Sequence, residues 1–239
     1  MAHHPLQVPR SSLLDALSWL EYAFQPAGVA APDDAAYGHQ RHSATVVMAT
    51  DNLPPKSCES DAVIGEGSRP VAVYTADCLP VLFADTHSRQ VAAVHAGLKG
   101  TLSGVLNSTI DRLLTLGAQT NTLHVAIGPA IGPCCYELGR NLVDEMQAQP
   151  GLPSLSWSET QPKNLRAIRP QAQPQQHGIW FDLPHLARGL LQQRGIPAAQ
   201  IEVVEMCTYC MAESGSSYRY NTHFASGYQS RFSWIRCRD

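Results

Sequence analysis

Val71-Ala72-Val73-Tyr74-Thr75, Val81-Leu82-Phe83-Ala84 and Val91-Ala92-Ala93-Val94-His95 follow one another closely, and their reading decides the fold. Each run is short, rich in β-branched or aromatic residues, and bounded by polar or turn-forming residues, which predicts strands. The first two are apolar enough to be buried on both faces. Moving toward the C-terminus, Gly97 and Gly100 flank a turn. Residues 101–116 then place Leu102, Val105, Leu106, Ile110, Leu113 and Leu114 at helical spacing, with Gly117 as the stop. His124-Val125-Ala126-Ile127 is a further strand, entering Gly128-Pro129-Ala130-Ile131-Gly132-Pro133. A second helix is expected over 183–194 and a strand over 201–206. The tail, 218–236, mixes aromatic and polar residues at strand-like spacing.

Toward the N-terminus, Ser43-Ala44-Thr45-Val46-Val47-Met48-Ala49 reads as a strand, and 53–69 as a loop. Residues 1–34 read as an irregular segment holding one short helical pattern, Leu13, Leu14, Leu17 and Leu20, behind a Ser12 cap. Residues 149–178, rich in Pro and Gln, are expected to form a surface loop without catalytic groups. Strands and helices alternate in the middle and further strands lie at the ends. That pattern predicts an α+β, mixed α/β architecture in a single domain over 1–239.

The composition narrows the class of partner. Of 239 residues, 44% are hydrophobic and 15% charged, and the net charge is −3. The charged share is far below the roughly 25% usual for soluble domains. Neither a basic nucleic-acid footprint nor a polybasic membrane anchor fits this balance. No apolar run reaches the roughly 18 residues of a membrane helix, so no membrane partner is expected. The start, MAHHPLQVPRSS, has no apolar signal core, which makes a cytoplasmic location the expectation. Seven cysteines, an odd number, argue against a disulfide framework and toward metal or catalytic roles.

Five groups of residues carry chemistry-bearing side chains. Asp77-Cys78-Leu79-Pro80 and Val94-His95-Ala96-Gly97 put a thiol and an imidazole at strand ends. Such a pair serves either as nucleophile and base or as two ligands of a soft metal. Asp77 is placed by adjacency to shuttle a proton. Gly38-His39-Gln40-Arg41-His42-Ser43 offers a third ligand, His39 or His42. In an extended segment residues three apart point to opposite faces, so only one of the two faces the pair. Three protein ligands with a free fourth position are the catalytic form of a zinc site.

Gly97-Leu98-Lys99-Gly100-Thr101 follows His95 directly, and a helix N-terminus with glycines and a lysine favours an anion such as phosphate. Cys207-Thr208-Tyr209-Cys210 is a lone CxxC, read as structural, since the adjacent Cys134-Cys135 is an awkward ligand pair. In Ser217-Tyr218-Arg219-Tyr220-Asn221, Arg219 either holds an anion, stacks on a base, or lies on an edge-strand face.

Taken together, Ala76-Asp77-Cys78-Leu79-Pro80-Val81-Leu82-Phe83, Val91-Ala92-Ala93-Val94-His95-Ala96-Gly97 and Ile127-Gly128-Pro129-Ala130-Ile131-Gly132-Pro133-Cys134-Cys135-Tyr136-Glu137 resemble the YfiH-like family, also called laccase-domain or multicopper polyphenol oxidoreductase proteins. Cys207-Thr208 and Ser217-Tyr218-Arg219 match its C-terminal pattern. The resemblance implies a layered sandwich of mixed sheets related to cysteine hydrolases. It implies His42, Cys78 and His95 as ligands of Zn, with Cu as an alternative occupant. It also implies a purine nucleoside enzyme: phosphorolysis of adenosine, inosine and methylthioadenosine, and deamination of adenosine. The small-molecule partners would be a nucleoside and phosphate, acted on by a monomer or weak homodimer.

The family usually reads HAGWRG, where this chain has Leu98 and Lys99 in place of Trp and Arg. Lys99 keeps the charge without the guanidinium fork. A second basic residue usual after the SYR arginine is Tyr220 here. The ten histidines include no His-x-His pair of the kind that builds multicopper centres, so polyphenol oxidation is expected only as a side activity. Two other readings compete with the nucleoside enzyme. One is a metal-free cysteine hydrolase acting on an amide such as a cell-wall precursor, with Cys78 as nucleophile and His95 as base. The other is a non-catalytic nucleoside-binding module.

Overall fold

The computed structural model describes residues 8–49, 53–175, 178–211 and 216–239. In chain order it begins with α1 (Ser12–Asp15), β1 (Leu20–Ala27), β2 (Val46–Met48), β3 (Ala62–Gly65), β4 (Val71–Thr75), β5 (Leu79–Asp85) and β6 (Val91–Ala96). Next come α2 (Leu98–Leu102), α3 (Val105–Thr115), β7 (Leu123–Ile127), β8 (Glu137–Leu138), α4 (Arg140–Ala148), β9 (Trp157–Ser158) and β10 (Ile179–Phe181). The chain ends with α5 (Leu183–Gln193), β11 (Ile201–Val203), α6 (Tyr218–Phe224) and β12 (Arg231–Cys237).

A mixed six-stranded sheet, ordered β11-β7-β5-β6-β3-β2, forms the middle layer. Its central pairs β7–β5, β5–β6 and β6–β3 are antiparallel; the edge pairs β11–β7 and β2–β3 are parallel. Period-two alternation divides its side chains between two cores. Leu79, Val81 and Phe83 of β5 join α3, α5 and α4 on one face. Leu82 and Ala84 face the other way, onto Leu20, Phe24, Val71, Val73 and Ile235. Those residues belong to an antiparallel sheet ordered β1-β12-β4. The result is three layers: small sheet, large sheet, helices. Each strand of the middle layer needs apolar residues on both faces, which is why the runs that form β5 and β6 show so little polar alternation.

The structure corrects several sequence-based expectations. Residues 1–34 are not irregular where described: β1 pairs with β12 from Leu20↔Cys237 onward, and Phe24 is fully buried. Its Leu20, Tyr22 and Phe24 alternate inward, so the leucine spacing read as helix ends in α1. The cap of α1 is Ser11, not Ser12, with its hydroxyl accepting from Leu14 N–H at 3.2 Å. The loop over 53–69 contains β3, whose four residues are all buried. The helix over 101–116 is two helices. Gly104, with φ of 91°, takes a left-handed conformation that breaks α2 from α3.

Helix α4 was unforeseen, and the tail's expected strand divides into α6 and β12. Tyr220 N–H donates to Ser217 Oγ at 3.0 Å, capping α6 and turning an alternating aromatic run helical. The 149–178 segment is irregular over most of its described length but is pinned inward. Gln161 Nε2 donates to the carbonyls of Cys134 (2.7 Å) and Ala172 (2.8 Å), and Ala172 is buried. Its glutamines satisfy backbone acceptors, which a composition-based reading of a solvated loop misses. Residues 176–177 of that segment, and His3 and His4, lie outside the described residues. Among the described residues no helix is long and apolar enough to cross a membrane.

Candidate metal centre and active site

The register of the middle sheet builds the site. β5 and β6 pair with Pro80 opposite His95, so Cys78, just before β5, comes beside the imidazole at the end of β6. The 38–45 segment crosses the same sheet end ahead of β2. Its contribution is His42, whose φ of 59° turns the chain sharply. The ligand atoms of His42, Cys78 and His95 all lie within 4.8 Å of one another. Cys78 Sγ is 3.7 Å from His42 Nε2, and the two imidazole rings stand edge to face with centroids 4.7 Å apart. His95 is buried, Cys78 half-buried and His42 exposed, so the cluster opens to one side. His39 is not in it; its backbone bridges to Glu59 instead, and the sharp turn at His42, not alternation along an extended segment, separates the two imidazoles.

Asp61, which the sequence reading missed, organises this cluster. Its Oδ1 is 2.8 Å from His95 Nδ1, which leaves Nε2 for a ligand. The same carboxylate accepts the N–H groups of Arg41 (3.1 Å), His42 (2.9 Å) and Ser43 (2.7 Å) and the Ser43 hydroxyl (2.7 Å). One buried carboxylate therefore fixes both the His95 ring and the turn that presents His42. Burial alone would raise the Asp61 carboxyl, but the bonds from His95, Ser43 and Arg41 outweigh it and hold it well below the usual range. Ser60-Asp61 stands immediately before the short apolar run Ala62-Val63-Ile64, and reading that run as β3 is the signal that would have found it.

Gly97 completes the cradle. A Cβ there would lie 2.6 Å from Cys78 Sγ and 2.8 Å from His42 Cδ2, so any side chain would crowd the thiol and the His42 imidazole. Burial, and then the carboxylates of Asp77 and Asp61, push the Cys78 thiol up to about 12 when no cation is near. Burial of its ring, and then His95 beside it, lower the His42 imidazole.

The remaining expected site residues spread around this centre. Gly97 caps α2, so Lys99 and Gly100 belong to the helix and not to the turn. Thr101 N–H is taken by Gly97 O at 2.8 Å and is not available to an anion, contrary to the sequence reading. Lys99 is exposed, and its charge contributes to lowering His42. Arg219, on α6, donates from Nη1 to Glu137 O at 3.0 Å, with its guanidinium 5.4 Å from the Tyr136 ring centre. Burial, and then Cys78, raise the Tyr136 phenol, so this ring lies within electrostatic reach of the thiol.

Asp77 is buried with a φ of 87° and accepts from Thr208 Oγ1 (2.6 Å), Ser217 Oγ (2.9 Å) and Arg219 N–H (2.6 Å). All three bonds run to the C-terminal segment. His42 itself and Asp77, next to Cys78, are left-handed non-glycine residues, strain held in place by the surrounding bonds.

The fold and the cluster define a class: a layered α/β protein carrying one thiol and two imidazoles in metal-ligand geometry at its sheet ends. The chain belongs to the family described as multi-copper polyphenol oxidoreductase laccase, whose model matches residues 22–236. It is 33% identical over 183 residues to the purine nucleoside phosphorylase slr1573 of Synechocystis, covering 74% of this chain and 67% of that protein. It is 31% identical over 205 residues to the purine nucleoside phosphorylase YfiH of Shigella flexneri, covering 85% and 75%. The crystal structure of YlmD from Geobacillus stearothermophilus superposes with a TM-score of 0.72 at 25% identity, covering 87% of this chain and 74% of that one. The Bacillus licheniformis protein YfiH superposes with a TM-score of 0.69, also at 25% identity, covering 86% and 75%.

Proposed function

We propose that this chain is a zinc-dependent purine nucleoside phosphorylase that cleaves adenosine, inosine and methylthioadenosine and also deaminates adenosine. The observation that carries the reading is the convergence of His42, Cys78 and His95 on a space kept open by Gly97. Two imidazoles and a thiolate suit Zn²⁺, and three protein ligands leave a fourth position for substrate. The relatives named purine nucleoside phosphorylase supply the reaction class. When bound, the ion would act as a Lewis acid beside the reacting atoms.

The chain's own residues supply the rest. Asp61 holds His95 by Nδ1 and keeps its other nitrogen facing the site. Lys99 and the first free N–H groups of α2 hold the phosphate, with Gly97 and Gly100 allowing the close approach of the backbone. Tyr136 and Arg219 form the wall for the nucleoside on the Cys78 side. Asp77 keeps that wall in place through Ser217, Thr208 and the Arg219 N–H, acting as a positioning residue. In phosphorolysis a phosphate oxygen bonds to C1′ of the ribose while the glycosidic C–N bond breaks. The electron pair leaves on the purine, which takes a proton from solvent.

The arrangement favours this reading over a cysteine hydrolase. The Asp61–His95 bond would serve either site, but a second imidazole, His42, crowds the same thiol, with its Nε2 3.7 Å from Cys78 Sγ, and supplies a third ligand that a nucleophile–base pair does not need. The test is a nucleoside panel with and without phosphate, before and after chelation. Phosphate-dependent base release, lost on chelation and restored by zinc, is the expected result. Activity that survives chelation but not iodoacetamide would overturn it, as would a nucleoside-induced thermal shift without turnover.

A further inference from the structure

We propose that Cys134, Cys135, Cys207 and Cys210 form a second metal centre, a closed structural zinc site with four sulfur ligands, distinct from the His42–Cys78–His95 cluster. The four Sγ atoms lie within 4.8 Å of one another, and all four residues are buried. Cys134 and Cys210 sulfurs are 3.8 Å apart, matching the edge of about 3.8 Å of a tetrahedron with Zn–S bonds of about 2.3 Å. The Cys135 and Cys210 sulfurs are closer, at 3.1 Å. A tetrahedral all-sulfur set selects zinc among common divalent ions, and its compactness suits one ion.

The surrounding backbone is arranged for thiolates. Gly132 N–H donates to Cys207 Sγ at 3.2 Å, and Ala172 N–H donates to Cys135 Sγ at 3.4 Å. Cys207 and Cys210 sit in a tight turn closed by Cys210 N–H to Cys207 O at 3.1 Å, the local geometry of a two-ligand knuckle. The Cys134-Cys135 pair sits in a second turn, with Cys135 N–H on Gly132 O at 2.9 Å. Adjacent cysteines normally point apart, but this turn directs both sulfurs to one side. Four thiolates around Zn²⁺ leave two excess negative charges. Arg169 brings a positive charge to the same turn, with its N–H on Cys210 O at 3.2 Å and its guanidinium donating to Thr208 O at 3.3 Å. Binding releases the four thiol protons to solvent, with no oxidation or reduction.

The consequence reaches the active site. The centre would clamp the loop that carries Tyr136, just before β8, to the turn carrying Thr208, whose hydroxyl donates to Asp77 at 2.6 Å. A second ion would thereby set the wall on the Cys78 side without touching substrate.

The test is the zinc content of protein purified without added metal. Two ions per chain are expected in the natural sequence. One is expected in His42→Gly, which tolerates the left-handed φ at that position, and one in the double variant Cys207→Ser/Cys210→Ser. Should the cysteine variant fail to fold, His42→Gly still decides the matter, because its four cysteines are intact. Exchanged with Co²⁺, it should show the charge-transfer absorption of a tetrahedral all-thiolate ion, and its zinc X-ray absorption should fit a sulfur-only shell. Zinc at one per chain that falls to none in His42→Gly, iron in place of zinc, or a Cys135–Cys210 disulfide in unreduced peptide digests would each overturn the proposal.

Discussion

Asp61 Oδ1 and His95 Nδ1 are 2.8 Å apart, and this contact links a carboxylate buried ahead of β3 to the cluster histidine at the end of β6. Strand pairing enforces it: His95 N–H also donates to Asp61 O at 2.7 Å. Asp61→Asn should therefore lower zinc affinity by roughly 10–100-fold, the usual cost of losing a carboxylate behind a metal-bound histidine. Chelator competition measures it, and unchanged affinity would show that the ring is held by packing alone.

Gly97→Ala places a methyl group 2.6 Å from Cys78 Sγ. We expect zinc affinity to fall more than tenfold, about 1.4 kcal/mol or more, while the metal-free variant keeps its secondary structure. Full zinc retention would mean that the ligands can shift, and the cradle would not be specific.

Lys99 is exposed, so its electrostatic contribution is screened. Lys99→Ala should raise the phosphate KM about threefold to fivefold, the ceiling for a solvent-screened contact of about 1 kcal/mol. Nucleoside KM should change less, and Lys99→Arg should preserve or improve phosphate use by restoring a forked donor. An unchanged phosphate KM in Lys99→Ala would remove this residue from the anion site.

Asp85 ends β5 fully buried and accepts from Ser88 N–H and Ser88 Oγ, both at 2.6 Å. Burial opposes its ionisation, but the bonds from Ser88 and Thr122 prevail and its carboxyl is lowered. A lowered folded-state pKa adds stability that is present above the unfolded value of about 3.9 and disappears as pH falls through the folded value. Asp85→Asn should cost about 1–3 kcal/mol at neutral pH. The gap to the natural sequence should close on acidification below about pH 4. A gap independent of pH, measured by denaturant unfolding, would assign the loss to shape and not to charge.

Phe24 lies in the segment that the sequence pattern leaves irregular, yet it is fully buried between the two sheets. Phe24→Ala should cost about 3–5 kcal/mol. A lower denaturation midpoint at unchanged slope is the expected signature. A negligible shift would mean that β1 is an appendage and not part of the core.

Much of this was legible along the chain because it depends on local pattern. β4, β5 and β6 announce themselves by apolar runs too short for helices and too unbroken for a one-sided sheet. Cys78 and His95 are legible as a pair because each stands at the end of such a run. β1 was hidden because Leu13, Leu14, Leu17 and Leu20 mimic a helical face, while the partner that makes it a strand, β12, lies at the other end of the sequence. α6 was hidden because its aromatics alternate as in a strand. Only the Ser217 cap and the pull of Asp77 on the Arg219 N–H settle the backbone there as helix. Asp61 was hidden because a lone aspartate between a serine and three apolar residues resembles any turn.

The sequence by itself determined the mixed α/β class, the run of buried strands and the residue types of the Cys/His cluster. Those features follow from side-chain polarity and spacing, which act over a few residues. Tertiary structure alone decided that one buried carboxylate holds both His95 and the His42 turn, and that two cysteine pairs far apart in the chain meet at one point. Those outcomes depend on strand register and loop closure. Neither leaves a local trace, because the partner groups become neighbours only after the sheets have paired.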